Sequence, residues 1–454
     1  MSQFDNHGGN QIIDVAKVID SRPLSGFQIT VIVLCVLVAI IDGFDALSIA
    51  FAAPAIAKDM NIPIASFGPI FGAGTLGLTL GALSIPPLAD RFGRKSITII
   101  ACVIFGVLSL TTTEADSFKS LALIRFLTGI GVGAATPNVV ALALEYAPKR
   151  IRALLVTIVT GGFPLGAVLG GSISSKMLPA WGWHSVFYLG GITPLVLAVV
   201  LAAALPESIR FLVNREKSPD KVARYLKRIA PDLAIGPAAR FIIPEVKLGG
   251  FPVRHLFSDG RMPVTLLLWL AFFLNLLLLF FMYNWLPPMM NQAGMAIQGA
   301  IIATVVFNLG GFIGGIVLGR MMDKGSPYAV LSGAYLVGCV TVGSLGFLGA
   351  SIPLLMSVVG IAGFCTVGGQ TAANALAAES YPTAVRATGV GWALGIGRIG
   401  SIIGPLIGGM ALSLQLSLRD IFLCAGVPAF GAALAIMVLG ALSRNRPAVT
   451  AQAS

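Results

Sequence analysis

The stretch LALEYAPKRIRA, residues 142–153, returns without a gap as LAAESYPTAVRA at residues 376–387. The copy keeps Glu145 as Glu379, Pro148 as Pro382 and Arg152 as Arg386. At almost the same offset LADRFGRK (88–95) faces RMMDK (320–324), which pairs Asp90 with Asp323. One offset kept by separate segments marks an internal duplication. Between the copies lies the longest polar segment, Leu205 to Arg261, with 11 basic and 6 acidic residues and prolines at 206, 219, 231, 237, 244 and 252. The chain therefore reads as two related halves joined by a polar linker.

Only 11% of the 454 residues are charged and 56% are hydrophobic, with a mean hydropathy of +0.90. A soluble domain carries about 25% charged residues, so this is an all-α polytopic membrane protein. A bilayer core of about 30 Å needs about 20 apolar residues per helix, and runs of that length recur throughout. A β-barrel is excluded, because its strands are about 10 residues long and alternate in polarity. Twelve spans are expected near 27–54, 66–89, 96–113, 120–145, 151–175, 184–205, 263–290, 297–319, 327–349, 352–378, 384–413 and 417–442. Met262 to Gly319 holds no charge at all, and it is divided at Pro287–Pro288 and Gly294, residues that interrupt helices. The organisation expected is a tail at 1–26, a six-helix bundle at 27–205, a linker at 206–262, a second bundle at 263–442 and a tail at 443–454. The first 26 residues carry acids and lack a basic stretch followed by a cleavage site, so they are expected to be a cytoplasmic tail, not a signal peptide.

A net charge of +11 raises the question of a nucleic-acid partner, and the distribution answers it. Of the 30 Lys and Arg, 24 fall on the side of both termini and 4 on the other (Lys58, Lys119, Lys176, Arg419), with Arg125 and Arg398 inside spans. That asymmetry is the positive-inside rule, so the basicity is topological and both termini are expected in the cytoplasm of a bacterial inner-membrane protein. The five cysteines lie singly in apolar spans, and the three histidines have no second ligand at metal spacing. No phosphate-binding loop with its lysine is present, which argues against ATP as the energy source.

In the loop PPLADRFGRKS (86–96), Gly93 permits a tight turn. Asp90 can accept backbone N–H groups at a neighbouring helix start, and Arg91, Arg94 and Lys95 suit an anionic leaflet. A gating latch is expected from Asp90, Arg91, Gly93, Arg94, Glu145 and Arg152, with Asp323, Glu379 and Arg386 as its counterpart; a plain topogenic loop is the other reading. This loop, its weaker copy and PESIRFL (206–212) resemble the major facilitator superfamily over nearly the whole chain. The resemblance implies two parallel six-helix bundles with substrate held between them near the midplane. The family pattern has Gly where this loop has Pro86, whereas Gly319 keeps it in the second half.

From Phe27 to Ala57 the charged side chains are Asp42 and Asp45 alone. An ionised group at the bilayer centre costs at least ~2.5 kcal/mol, so such residues line polar cavities. Asp42 lies about 20 Å from the start of its span, and three residues apart on a helix is one face, so both carboxylates are expected to look into one cavity. Two close acids cannot both ionise cheaply, which makes one of them a proton carrier. Arg398 stands about 21 Å into its span, at matching depth, and Arg125 only about 9 Å from the far end of its own. Arg398 suits a substrate carboxylate or a structural pair with an acid; Arg125 suits a gate, a pair or a substrate contact. DGFD (42–45), RFLTGIGVGAATPN (125–138) and RATGVGWALGIGRIG (386–400) resemble, more narrowly, the aromatic acid:proton symporter family. That resemblance implies uptake of benzoate-like or hydroxybenzoate-like anions together with protons.

Flat walls for an aromatic ring are offered by Tyr283 and other aromatics of the seventh span and by Trp392. Asn138, Asn308, Gln370 and Asn374 are polar candidates, because an amide in hydrocarbon wants a partner. GSIIGPLIGG (400–409) matches a proton-antiporter pattern but sits in the eleventh span, where it reads as small-residue packing. The expectation is a monomeric importer working among membrane lipids, with protons as coupling ion, no cofactor and no metal. Another organic-anion or sugar porter, or a drug:proton antiporter, is the alternative. A receptor or membrane enzyme would need a ligand domain or a catalytic cluster, and the sequence has neither.

Overall fold

A computed structural model describes residues 5–7, 10–215, 218–236, 239–243, 252–258, 260–348, 351–382 and 385–444. The tail beyond 444 and part of the linker, 244–251 included, lie outside the described residues. A hairpin of β1 (Asp5–His7) and β2 (Asn10–Asp14) leads into the short α1 (Val15–Asp20). The first half follows as α2 (Gly26–Asp59), α3 (Phe67–Ser84), the short α4 (Pro86–Phe92), α5 (Arg94–Thr111), α6 (Phe118–Glu145), α7 (Arg152–Trp181) and α8 (His184–Ala204). The linker holds α9 (Ile209–Asn214), α10 (Pro219–Ile229) and β3 (Arg240–Ile242). The second half is α11 (Met262–Gln292), α12 (Ile297–Lys324), α13 (Pro327–Ser344), α14 (Ile352–Ser380), α15 (Arg386–Ser413) and α16 (Leu418–Arg444). Among the described residues, twelve helices are long and apolar enough to cross a membrane, six before the linker and six after. An even number of crossings puts both termini on one side, called here the termini side.

Local chemistry moves several boundaries from their expected places. Ser25 and Gln28 form a reciprocal cap at the start of α2. The second span stops at Ser84 instead of 89, because Pro86 and Pro87 lack N–H groups and open the separate helix α4. Pro287 and Pro288 do not divide the charge-free stretch: α11 runs through both to Gln292. Both prolines are buried, and membrane helices tolerate proline where neighbouring groups take up the freed carbonyls. The break falls at Gly294, whose φ is +92°. The eighth span continues past Gly319 to Lys324, and a side chain at Gly319 would meet no neighbour, so that glycine is not a packing contact.

Both halves use the same packing device. A Cβ at Gly77 would strike the Phe126 carbonyl and one at Gly133 the Leu78 carbonyl, so α3 and α6 meet backbone to backbone. Gly310 against Gly360 and Gly363 against Phe307 do the same for α12 and α14. Small residues allow that approach where lipid supplies no hydrophobic drive between helices. The glycines of 400–409 work likewise. Gly400 and Gly404 seat α15 on the Phe273 and Leu277 carbonyls of α11, and Gly409 meets Gly68 of α3 across the two halves. On that far side Phe71 also meets Trp285 edge-on at 5.3 Å, and the Trp285 indole N–H donates to the Pro405 carbonyl at 2.8 Å. The halves are thus closed on the side away from the termini.

The segments expected as a tail and a linker pack together into a cap on the termini side of the first half. β2 pairs in parallel with β3, from Ile12 opposite Arg240 to Asp14 opposite Ile242. Ile13, Val15 and Ile19 share a core with Leu212, Val222, Leu226 and Ile229. Arg22 is ion-paired with Asp232, and that hydrogen bond holds the exposed Asp232 carboxyl below its ordinary range. Asp20 accepts from the Lys149 backbone N–H at 2.8 Å, which ties the cap to the loop before α7.

Candidate functional site

Between the halves lies a cavity of two compartments that share Leu78, Val132, Phe163, Phe280 and Tyr283. The deeper one is walled by Phe71, Ile49 and Ile70 and holds Asp45, Arg125, Thr75, Thr128 and Asn284. The larger spans about 950 Å³ of empty space, part of it open to solvent. Ala82, Thr160, Leu394 and Arg398 line it towards the termini side, together with Thr136 and Gln370. Apolar walls with a few converging polar groups are the general form of a small-ligand site.

The two carboxylates of α2 go separate ways. Asp45, 3% exposed, reaches the deeper compartment, where Oδ1 stands 4.0 Å from Arg125 Nη1. Asp42, 0% exposed, lines neither compartment and turns into the seam with α6, where its Oδ2 accepts from the Thr136 hydroxyl at 2.6 Å. Its Oδ1 has no hydrogen-bond partner among the described residues. Three residues along a helix leave about 60° between side chains, enough to send one to the cavity and the other between helices. Gly43 between them meets the Phe163 backbone of α7, so a side chain there would force the helices apart.

Arg125 is a pairing residue in this state. Besides Asp45 it donates to the Thr112 hydroxyl and stands 5.1 Å from the centre of the Phe187 ring. Arg398 differs, because its guanidinium makes no hydrogen bond or ion pair with any described residue. Beside it runs an amide chain that starts at a residue the sequence analysis passed over. Asn275 Nδ2 donates to Gln370 Oε1 at 2.8 Å, and Gln370 Nε2 to Asn374 Oδ1 at 3.1 Å. Asn275 Nδ2 also faces the Thr366 carbonyl at 3.4 Å, which fixes the direction of the chain. Gln370 faces the cavity, whereas Asn374 supports it from behind. Asn275 lies in the charge-free stretch, where a lone amide was itself a signal.

Three other expected site residues stand elsewhere. Asn138 and Asn308 turn back on their own helices, donating to the Ala134 carbonyl at 2.7 Å and the Thr304 carbonyl at 2.9 Å. Neither lines the cavity. Trp392 is 42% exposed and stacks on Trp269 at 5.8 Å on the outer face. Six residues before Arg398 put it about 120° round the helix, so the two cannot share a face. Tyr283 borders both compartments against Phe163, Phe280 and Phe307.

On the termini side, Arg94 joins Asp90 and Glu145 at 3.1 Å each. Glu145 also accepts from Ser208, and Gly93 turns with φ +99°. Asp90 is 69% exposed and accepts from Arg94, not from a helix start. That capping role belongs to Glu207 of the linker, which takes the Lys95 backbone N–H at 3.0 Å. A side chain at Gly93 would collide with the same carboxylate. Arg91 lies 5.5 Å from the Phe92 ring and Arg152 donates to the Ala147 carbonyl at 3.1 Å, both outside the cluster. In the second half Asp323, Glu379 and Arg386 are exposed and form no ion pair with any described residue.

Comparison with known proteins adds to this geometry. The family model described as Major Facilitator Superfamily matches residues 35–350 and 300–454. The chain is 44% identical to the gallate transporter of Pseudomonas putida, over 97% of its own length and 98% of that protein's. It is 40% identical to the 4-hydroxybenzoate transporter PcaK of Pseudomonas putida, over 98% and 99% of the two chains. In fold it resembles the xylose transporter XylE from E. coli in a partially occluded inward open conformation, with a TM-score of 0.69 over 91% of this chain and 98% of that one at 16% identity.

Proposed function

The chain belongs to the Major Facilitator Superfamily and to its aromatic acid transporters, and from that premise we propose that it imports benzoate-like and hydroxybenzoate-like anions together with protons. It is a transporter, not an enzyme. The termini side is the cytoplasm of a bacterial cell, because 24 of 30 Lys and Arg lie there. The cavity described above is then the state open to the cytoplasm, and opening the Gly68–Gly409 contact would expose it to the other side.

The observation that carries this reading is Arg398, a cation in an aromatic-walled cavity with no partner among the described residues. A half-buried cation in a largely apolar cavity favours an anion, and a guanidinium offers two parallel N–H groups that match a carboxylate. The ring would lie against Phe280, Phe163 and Tyr283, and the free N–H of Gln370 would meet a ring oxygen or the carboxylate itself. Asp45 and Arg125 supply the coupling. Once Asp45 takes a proton, Arg125 loses its counter-charge, so the cavity becomes more favourable to an anion. Proton and anion thus favour each other, and the loaded protein changes access as one unit. The monomer suffices, and protons serve as coupling ion with no cofactor.

Uptake of labelled benzoate, 4-hydroxybenzoate and gallate into proteoliposomes tests this. An imposed gradient, acidic outside, should drive accumulation that a protonophore abolishes. Accumulation of a neutral sugar or an organic cation in their place would replace the reading with another porter class.

A further inference from the structure

We propose that Thr136 is the hydrogen-bond switch through which the ionisation of Asp42 is felt by the bound aromatic acid. The proposal rests on the reading above and adds a residue and a mechanism to it. Asp42 is sealed from both compartments, yet Thr136 touches it and also lines the larger compartment with Arg398 and Gln370. The other threonines of the cavity are not built this way. Thr75, Thr128 and Thr160 return their hydroxyls to carbonyls of their own helices, Phe71, Ile124 and Val156. Thr136 sends its hydroxyl across to another helix instead.

A hydroxyl has one hydrogen and two lone pairs. While Asp42 is ionised it only accepts, so the Thr136 hydrogen is committed to it and Thr136 shows the cavity lone pairs alone. Those repel a carboxylate or phenolic oxygen. When Asp42 takes a proton, its own O–H can donate to Thr136 Oγ1, and the Thr136 hydrogen is released to point into the cavity. One proton is gained at Asp42, one hydrogen bond reverses, and no other atom moves between groups. A group that repelled the anion becomes a donor beside Arg398 and Gln370.

The surroundings leave Asp42 as the group that works the switch. Asp45 from α2 itself is engaged by Arg125 of α6, Cys102 of α5 lies within electrostatic reach of Asp42, and Tyr283 of α11 stands against Phe163. From α7 the seam receives the Phe163 backbone at Gly43, whereas Gly190 of α8 stands at Asp45 Oδ1 and Phe44.

The test is binding of 4-hydroxybenzoate to the purified full-length protein by titration calorimetry between about pH 6 and about pH 8, where the ligand's carboxylate stays ionised. Wild type and Thr136→Ser should lose affinity as pH rises, by about tenfold or more, the size of an ordinary coupling between sites. Thr136→Val keeps the shape and lacks the hydrogen, so it should lose the part of the slope that Asp42 supplies and keep only the part that Asp45 supplies through Arg125, a fall at least about threefold smaller than the wild type's. Asp42→Asn removes the group that works the switch and should show the same reduced slope. A full wild-type slope in either Thr136→Val or Asp42→Asn overturns the switch while leaving aromatic acid binding in place. A flat wild-type profile overturns the switch and the proton coupling together, and no binding of any aromatic acid overturns the substrate assignment beneath both.

Discussion

On the termini side of the first half, Arg94 holds Asp90 and Glu145 at 3.1 Å each, while their counterparts Asp323 and Glu379 are exposed and unpaired among the described residues, and the position opposite Arg94 is Pro327. The partners explain the difference. Ser208 and Glu207, which complete the first cluster, come from the linker that follows α8, and the duplication holds one linker. Inside the membrane the contrast continues: Arg125 in the first half is paired with Asp45, whereas Arg398 in the second faces the cavity without a partner among the described residues. Duplication copied the helical frame, and the chemistry then diverged with the neighbours each half was given.

The largest effect should come from the paired arginine. Arg125→Leu leaves Asp45 buried without its counter-charge, a loss of about 3–5 kcal/mol of stability, and adding Asp45→Asn should recover much of it. Arg398→Leu should cost little stability. Thermal unfolding in detergent compares them, and equal losses from the two arginines would remove the distinction between a paired and a free cation.

Binding should show the reverse order. Arg398→Ala should weaken benzoate by about 1.5–3 kcal/mol, or roughly 10- to 100-fold, the range of a hydrogen bond to a charged group. Arg398→Lys keeps the charge without the fork and should fall between. The neutral benzamide serves as control, since wild type binding both ligands equally would leave no carboxylate anchor to defend.

The two turns on the termini side separate next. Gly93→Ala meets a positive φ and the Glu207 carboxylate, and should cost about 1–3 kcal/mol and slow turnover. Gly325, with φ at −135°, can accept alanine. Exchange rates at saturating substrate should drop for the first substitution and hold for the second. If both drop alike, the second turn also works as a latch in a state other than this one.

Smallest is the pair of loop acids. Asp90 is largely exposed, and such ion pairs are worth about 1 kcal/mol or less. Asp90→Asn should slow transport by no more than about fivefold with substrate affinity unchanged, and Asp323→Asn should change neither. A loss of affinity in Asp90→Asn would make that residue part of the site and not of the gate.

The membrane spans were legible because composition and repeat are bulk properties: apolar length sets each crossing, and a fixed offset sets the halves. What escaped the sequence depended on direction. DGFD puts two acids on neighbouring faces, yet 60° of helix sends Asp42 to Thr136 and Asp45 to the cavity. Trp392 looked like a ring platform until its helical phase placed it outside, and Asn138 and Asn308 found partners one turn away on their own helices. Glu207 stood in the quoted PESIRFL stretch, but its contact with the start of α5 is a contact at long range that no local pattern encodes. Pro287 and Pro288 suggested a break because proline lacks an N–H and its ring clashes with the preceding turn, which in water ends a helix at little cost since water takes the freed carbonyls. In a membrane the helix is kept and neighbouring groups take them.

The cap has a consequence for the order in which the protein is made. Gln11 bonds to Ala234, 223 residues further on, and β2 waits for β3 at Arg240–Ile242 before it has a parallel neighbour. By the time β3 has been synthesised, all six helices of the first half have been made, and none of the second has begun. The N-terminal strand is therefore the last piece of the first half to be fastened although it is the first to be translated. A nascent chain halted just after β3 would already contain every described residue needed to close that half.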